Sequence, residues 1–193
     1  MIKKLIPDYV FKTIYDIPLK ELYDSGIRLI LTDLDNTLIS YADKLPTEKL
    51  KEWKKEVLNT GFEFILVSNS RKTRVDNFAK EFDIPYQKFS TKPLKRGIKK
   101  AINKIAKNKY RNDEILLIGD QLMTDVLGAK RCKIKAGLIF PIDKSTEVRS
   151  TRGNRKLEKF FINRIKKKYP DVYESKLKEF SNHDWENMWG LWC

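Results

Sequence analysis

The sequence predicts an α/β fold: an open, doubly wound parallel sheet of Rossmann-like type with helices on both faces. Two observations carry this. Five short apolar runs, at residues 27–33, 62–67, 85–90, 114–119 and 136–140, have the length of buried strands. Between them lie longer stretches whose apolar residues recur at helical spacing, and no segment repeats.

In residues 1–26 apolar and basic positions mix, with Ile6, Val10, Phe11, Ile14 and Tyr15 near helical spacing, so a short amphipathic lead-in packed on the core is expected. The first strand, 27–33, precedes a helix over 46–58 whose inner face is Leu50, Trp53 and Val57 and which Gly61 stops. After the second strand, Ser70 caps a helix over 71–82 with Val75, Phe78, Ala79 and Phe82 inward. The third strand leads to a helix over 93–107 carrying Leu94, Ile98, Ala101, Ile102 and Ile105 as one stripe. A helix through Ala129 separates the fourth and fifth strands. Over 149–168 the residues Leu157, Phe160, Phe161 and Ile165 mark a last, basic amphipathic helix.

With 193 residues, 41% hydrophobic and 34% charged, the chain has the composition of one folded domain, placed at 1–168, followed by an aromatic tail over 169–193. No apolar run approaches the ~20 residues that cross a bilayer, and the first residues lack the apolar core of a signal peptide, so a cytoplasmic location is expected. Cys132 and Cys193 are the only cysteines and His183 the only histidine, too few for a zinc site or a disulfide framework. A Ser–His or Cys–His hydrolase would have to use a histidine in the tail. Chemistry therefore falls to carboxylates, lysines and a metal. The net charge of +14 suits nucleic acid, an anionic membrane surface or phosphorylated substrates, or serves solubility alone.

In sheets of this class the site lies beyond the carboxyl ends of the strands. Asp33 and Asp35 follow the first strand, Ser68, Asn69 and Ser70 the second, Lys92 the third, and Asp120 and Asp125 the fourth. Two aspartates two residues apart repel unless a cation lies between them, although two Asp in a helix-capping loop would read the same way. Polar groups at four independent strand tips point to one site. Their mixture suits phosphoryl transfer: carboxylates for Mg²⁺ and for nucleophilic and acid/base work, hydroxyls and a lysine for phosphoryl oxygens.

The four elements resemble, in order and placement, the four motifs of the haloacid dehalogenase (HAD) superfamily of phosphatases. The resemblance implies that Asp33 is the nucleophile and a Mg²⁺ ligand. Asp35 would be the general acid/base, ligating the metal through its backbone carbonyl. Ser68 would bind a phosphoryl oxygen with Asn69 beside it, and Lys92 would offset charge. Asp120 would be the fourth-motif metal ligand, with Asp125 and Thr37 in support. The segments Leu-Ile-Pro-Asp-Tyr, Thr-Asp-Leu-Asp-Asn-Thr-Leu, Val-Ser-Asn-Ser, Lys-Pro-Leu, Gly-Asp-Gln-Leu-Met-Thr-Asp-Val-Leu-Gly and Thr-Arg-Gly-Asn-Arg-Lys-Leu-Glu resemble the YqeG family over about residues 1–168. That branch includes the phosphatidylglycerophosphate phosphatases of mitochondrial type, which implies a phosphorylated lipid substrate.

Only 32 residues separate Asp35 from Ser68, and 21 separate Ser70 from Lys92, so neither gap holds a cap domain and the site is expected to be open to a large substrate. Nine Lys or Arg without an acid lie between Lys92 and Arg111, and nine against Glu158 alone between Arg149 and Lys168. The second block suits an anionic membrane, or is a solvated face whose stripe packs on the sheet. Trp185, Trp189 and Trp192 in the tail suit packing, a membrane interface or a partner. Two rival functions are a phosphatase of polynucleotide ends and a non-catalytic module. Nucleic acid is the weaker partner, because Tyr110 alone offers a stacking ring in the first basic block. Nothing in the sequence sets an oligomeric state.

Overall fold

Leu29–Thr32 and Ile115–Gly119 are buried at every position, as strands covered on both faces must be. The computed structural model describes residues 2–71 and 73–189, with backbone alone for 149, 150 and 184–189. Its six strands are β1 (Tyr9–Phe11), β2 (Leu29–Thr32), β3 (Glu63–Val67), β4 (Tyr86–Gln87), β5 (Ile115–Gly119) and β6 (Lys135–Ile139). They form one parallel sheet in the order β1-β6-β5-β2-β3-β4. From β2 the chain winds one way to β3 and β4, then returns to the other side for β5 and β6. The direction of winding therefore reverses between β2 and β5, where such sheets place their ligands.

The helices are α1 (Leu19–Asp24), α2 (Glu48–Thr60), α3 (Thr73–Glu81), α4 (Lys95–Lys100), α5 (Leu127–Cys132), α6 (Arg149–Lys168), α7 (Pro170–Val172) and α8 (Lys178–Trp189). Thr47 caps α2 by accepting from the Leu50 N–H at 3.2 Å, and Gly61 ends it in the left-handed region at φ 102°. Alternate strand residues feed two cores. Leu29, Leu31, Ile65, Val67 and Leu117 meet residues of α4, α5 and α6, while Ile30, Phe64, Leu66, Leu116 and Ile118 meet residues of α1, α2 and α3. The β2–α2 and β3–α3 connections contain no inserted domain. No described helix is long and apolar enough to cross a membrane.

Four expectations change. The lead-in is not simply an amphipathic helix: residues 9–11 form the edge strand β1 beside β6. Asp8 starts it, exchanging backbone hydrogen bonds with Ala136 through its N–H (2.8 Å) and its carboxylate (2.7 Å) and pairing with Lys130 at 2.6 Å. Leu94 leaves the predicted stripe, since it precedes α4 as its N-cap and is exposed. On α6, Phe161, Ile162 and Ile165 are buried whereas Leu157 and Phe160 are half exposed, so the predicted stripe splits between core and solvent. The boundary at 168 is not a packing boundary, because Tyr173, Leu177 and Phe180 enter the first core and Phe180 meets the Phe140 ring at 5.5 Å. The rings of Trp185 and Trp189, and Trp192 altogether, lie outside the described residues.

Candidate active site

Parallel register brings the tips together. Thr32 pairs with Leu66 on one side and Ile118 on the other, so Asp33, Ser68 and Asp120 emerge side by side. The Asp33 N–H still donates to Ile118 O at 2.9 Å, after which the chain turns sharply. Asn36 takes the left-handed conformation (φ 59°), which Asn tolerates better than most residues, and its N–H closes the turn on Ile39 O at 2.8 Å. Its side chain ties the turn to the β6–α6 connection, donating to Glu147 Oε1 and accepting from the Asp143 N–H, both at 3.2 Å.

Lys92 arrives from beyond β4, clamped by Asn69. The Asn69 amide oxygen accepts from the Lys92 N–H and the Ser90 hydroxyl, both at 2.7 Å, and its NH₂ donates to Lys92 O at 2.9 Å. Lys92 Nζ then lies 2.8 Å from Asp33 Oδ1 and 2.7 Å from Asp125 Oδ1. Burial works against the ammonium charge, but Asp125 and Asp33 outweigh it and hold Lys92 more firmly protonated than usual. Asp33 moves the other way. Burial raises it from 3.8 to about 7, Lys92 opposes the rise, and Asp125 and Asp35 add to it. Asp125 fits because residue 119 is glycine: a Cβ there would stand 2.2 Å from Asp125 Cγ.

Asp120 is fully buried and held from α6. Arg155 donates to the Asp120 backbone oxygen at 2.7 Å and to its carboxylate Oδ2, and pairs with Glu147 Oε1 (2.8 Å) and Glu158 Oε2 (2.9 Å). Glu158 Oε1 accepts from the Leu122 N–H at 2.5 Å, fixing the turn that follows Asp120. Burial lifts the Asp120 carboxyl well above the ordinary range despite Arg155.

Asp33, Asp120 and Asp125 each place a carboxylate oxygen within 4.8 Å of the others. Asp120 Oδ1 is buried with no hydrogen-bond partner among the described residues. Five buried carboxylates gather here (Asp33, Asp120, Asp125, Glu147 and Glu158) around Lys92 and Arg155. Burial and then Arg155 lower the Lys144 pKa to about 8, which leaves it mostly protonated at neutral pH, and the five carboxylates still outnumber the cations Lys92, Lys144 and Arg155. An all-oxygen set with a net negative excess fits a divalent cation of the Mg²⁺ type.

Of the residues singled out in the sequence, Asp33, Lys92, Asp120 and Asp125 converge on this centre, and Ser68 is buried at the tip of β3. Thr37 is buried beneath the turn, its hydroxyl unpartnered among the described residues. Asn69 makes its contacts with the Lys92 segment. Asp35 stands outside the carboxylate triad and pairs with Arg74, which also donates to Ser40 O (2.6 Å) and Asp43 O (2.7 Å). Sequence reasoning missed Arg155, Glu147 and Arg74 as site residues. For Arg155 a signal existed: Glu158, three residues on, is the one acid in an otherwise basic helix.

Residues 2–136 match the family model described as mitochondrial PGP phosphatase. The Bacillus subtilis protein named "Probable phosphatase YqeG" is 33% identical over 169 residues, covering 87% of this chain and 96% of that protein. Among solved structures, an uncharacterized protein from Listeria monocytogenes serotype 4b gives a TM-score of 0.48 at 16% identity, over 61% of this chain and 84% of its own. A Legionella pneumophila structure, named as a HAD superfamily (subfamily III A) hydrolase, gives 0.40 at 19% over 53% and 59%. The two sequence matches decide the assignment, and on them the chain is a phosphatase belonging to the family of YqeG and the mitochondrial PGP phosphatases.

Proposed function

We propose that this phosphatase is a Mg²⁺-dependent phosphomonoesterase that converts phosphatidylglycerophosphate to phosphatidylglycerol through an aspartyl-phosphate on Asp33. The observation that carries the reading is the match of residues 2–136 to the mitochondrial PGP phosphatase model, which spans Asp33, Asp35, Ser68, Lys92, Asp120 and Asp125.

An Asp33 carboxylate oxygen attacks phosphorus while the bond from phosphorus to the glycerol oxygen breaks, and Asp35 gives its proton to that oxygen. Water then attacks the phosphorus of the aspartyl-phosphate, Asp35 takes the water's proton, and the bond to Asp33 breaks to release phosphate. Lys92, 2.8 Å from Asp33, offsets charge as nucleophile and phosphoryl group approach. Ser68 donates its hydroxyl to a phosphoryl oxygen. A Mg²⁺ held by Asp33, Asp120 and the Asp35 carbonyl, with Asp125 in support, would supply the remaining charge compensation.

An uncapped site on a chain of net charge +14 suits a phosphate embedded in an anionic bilayer, with the protein associating peripherally from the cytoplasm. The test is phosphate release with Mg²⁺ from micellar phosphatidylglycerophosphate, 3′- and 5′-phosphorylated oligonucleotides and small sugar phosphates. Preference for the lipid is expected. Faster release from an oligonucleotide end would replace the substrate.

A further inference from the structure

All six strands run parallel, so every connection leaving a strand's carboxyl end emerges at one rim, the rim that holds the site. Ten large hydrophobic side chains are exposed among the described residues, and six of them lie in those connections: Tyr15 after β1, Leu45 after β2, Phe89 and Leu94 after β4, Ile142 and Val148 after β6. Leu94, Leu45 and Ile142 are 59%, 57% and 53% exposed. Exposed cations stand among them: Lys44, Arg71, Lys95 and Arg96. The Arg71 guanidinium lies 3.5 Å from the Phe89 ring centroid. Of the acids in these connections, Asp16 accepts from Thr13, Asp43 from Ser40 and Asp143 from Ser145, so each of these is engaged within its own turn. A groove of about 760 Å³ is lined by residues of the same connections together with Glu179, Asn182 and His183 of α8, with Ile14, Leu38, Ile39 and Pro141 on its walls.

We propose that this rim is the surface that docks on an anionic lipid membrane, with the mouth of the site facing the bilayer. The apolar tips enter below the headgroups and the cations meet lipid phosphates. Isolated apolar tips separated by cations and ringed around a mouth match a layered interface, with hydrocarbon beneath anionic headgroups, better than they match one continuous protein contact. The inference draws its biological meaning from the lipid-substrate reading above.

It reassigns the role expected of α6. That helix starts at the rim, where Arg155 grips Asp120, and ends beside the Ile2–Leu5 turn that precedes β1. Twenty helical residues span about 30 Å, so Lys166, Lys167 and Lys168 lie at the opposite end from the mouth. Lys166 and Lys168 sit over the rings of Tyr173 and Tyr169 at 5.1 and 5.8 Å.

The experiment is flotation of the full chain with phosphatidylcholine vesicles, with and without phosphatidylglycerol. Two variants are compared, the rim pair Leu45→Ser with Leu94→Ser and the far-end triple Lys166→Gln, Lys167→Gln, Lys168→Gln. The rim pair should lose about tenfold or more in partitioning onto anionic vesicles, since each buried Leu side chain contributes more than a factor of ten. The far-end triple should lose less than about twofold at physiological salt, where charges about 30 Å from the bilayer lie several Debye lengths away. Leu45→Ile with Leu94→Ile should restore binding, and thermal melting confirms that each variant is folded. Loss in the triple with retention in the rim pair overturns the inference, as does wild-type protein that fails to bind anionic vesicles. Phosphatidylglycerol carries no phosphomonoester, so docking is read without turnover. Bound protein that releases nothing from phosphatidylglycerophosphate overturns the substrate reading and leaves the rim standing.

Discussion

Arg155 holds Asp120 at two points, its backbone oxygen at 2.7 Å and its carboxylate Oδ2, which leaves Oδ1 buried without a hydrogen-bond partner among the described residues. A carboxylate fixed on one oxygen and bare on the other is pre-set as a ligand, the kind of support that outer groups give metal sites. The guanidinium fork makes the two contacts together, which a lysine cannot reproduce.

Arg155→Met should therefore leave Asp120, Glu147 and Glu158 buried without their partner and destabilise the protein by about 3–5 kcal/mol. Arg155→Lys should recover part of that stability yet remain about 10–100-fold down in Mg²⁺ affinity, because Asp120 is no longer held at both points. Urea unfolding and calorimetric Mg²⁺ titration separate the two effects. Full affinity in Arg155→Lys would reduce Arg155 to a structural charge.

A pH dependence follows from Asp33, which burial raises from 3.8 to about 7 in the metal-free protein. Between those values the unfolded chain releases the proton while the fold retains it, so the metal-free protein loses stability as pH rises through that window. In the proposed mechanism Mg²⁺ requires ionised carboxylates, so its binding releases protons from Asp33 and from the likewise raised Asp120, and its stabilisation grows as pH rises through that window. Melting curves with and without Mg²⁺ from about pH 5 to about pH 8 should show a widening gap in Tm. A gap that does not change with pH would remove Asp33 from the metal site.

The segment after α6 should behave as part of the fold. Leu177 and Phe180 are fully buried, and Lys176 Nζ reaches the backbone oxygens of Pro7 and Asp8 at 3.1 and 2.8 Å, beside β1. Leu177→Ala should cost about 2–5 kcal/mol, the range for a buried leucine, in denaturant unfolding. A cost near zero would restore the boundary at 168.

The sheet was legible because β2 and β5 are buried at every position and apolar but for Thr32, and each is followed at once by its functional residues. Periodicity failed where stability is non-local. Tyr9–Phe11 is too short to show a period of two, and the strand is held by Asp8 reaching Ala136, a contact 128 residues away in sequence. Asp33 and Asp120 could be read because each directly follows a strand whose register places it, and Lys92 and Asp125 because each lies in the segment that leaves the carboxyl end of a strand. Arg155 was lost among nine basic residues because a charge count cannot tell which cation turns inward; only the lone Glu158 marked that face. Arg74 carried no comparable mark, since its partner Asp35 lies 39 residues earlier.

The central claim is that Asp33 is the nucleophile and Asp35 the acid/base, and one variant tests both. An aryl phosphate has a leaving group that needs no proton, so Asp35→Asn should still form the aspartyl-phosphate while failing to activate the water that hydrolyses it. The measurement is rapid mixing of Asp35→Asn with p-nitrophenyl phosphate and Mg²⁺, followed by peptide mapping of the phosphorylated chain. The expected result is a burst of one nitrophenolate per protein, slow turnover afterwards, and a hydroxylamine-sensitive phosphoryl group on Asp33 that is absent from the Asp33→Asn, Asp35→Asn pair. Steady turnover at the wild-type rate, or a phosphoryl group on any other residue, would contradict it.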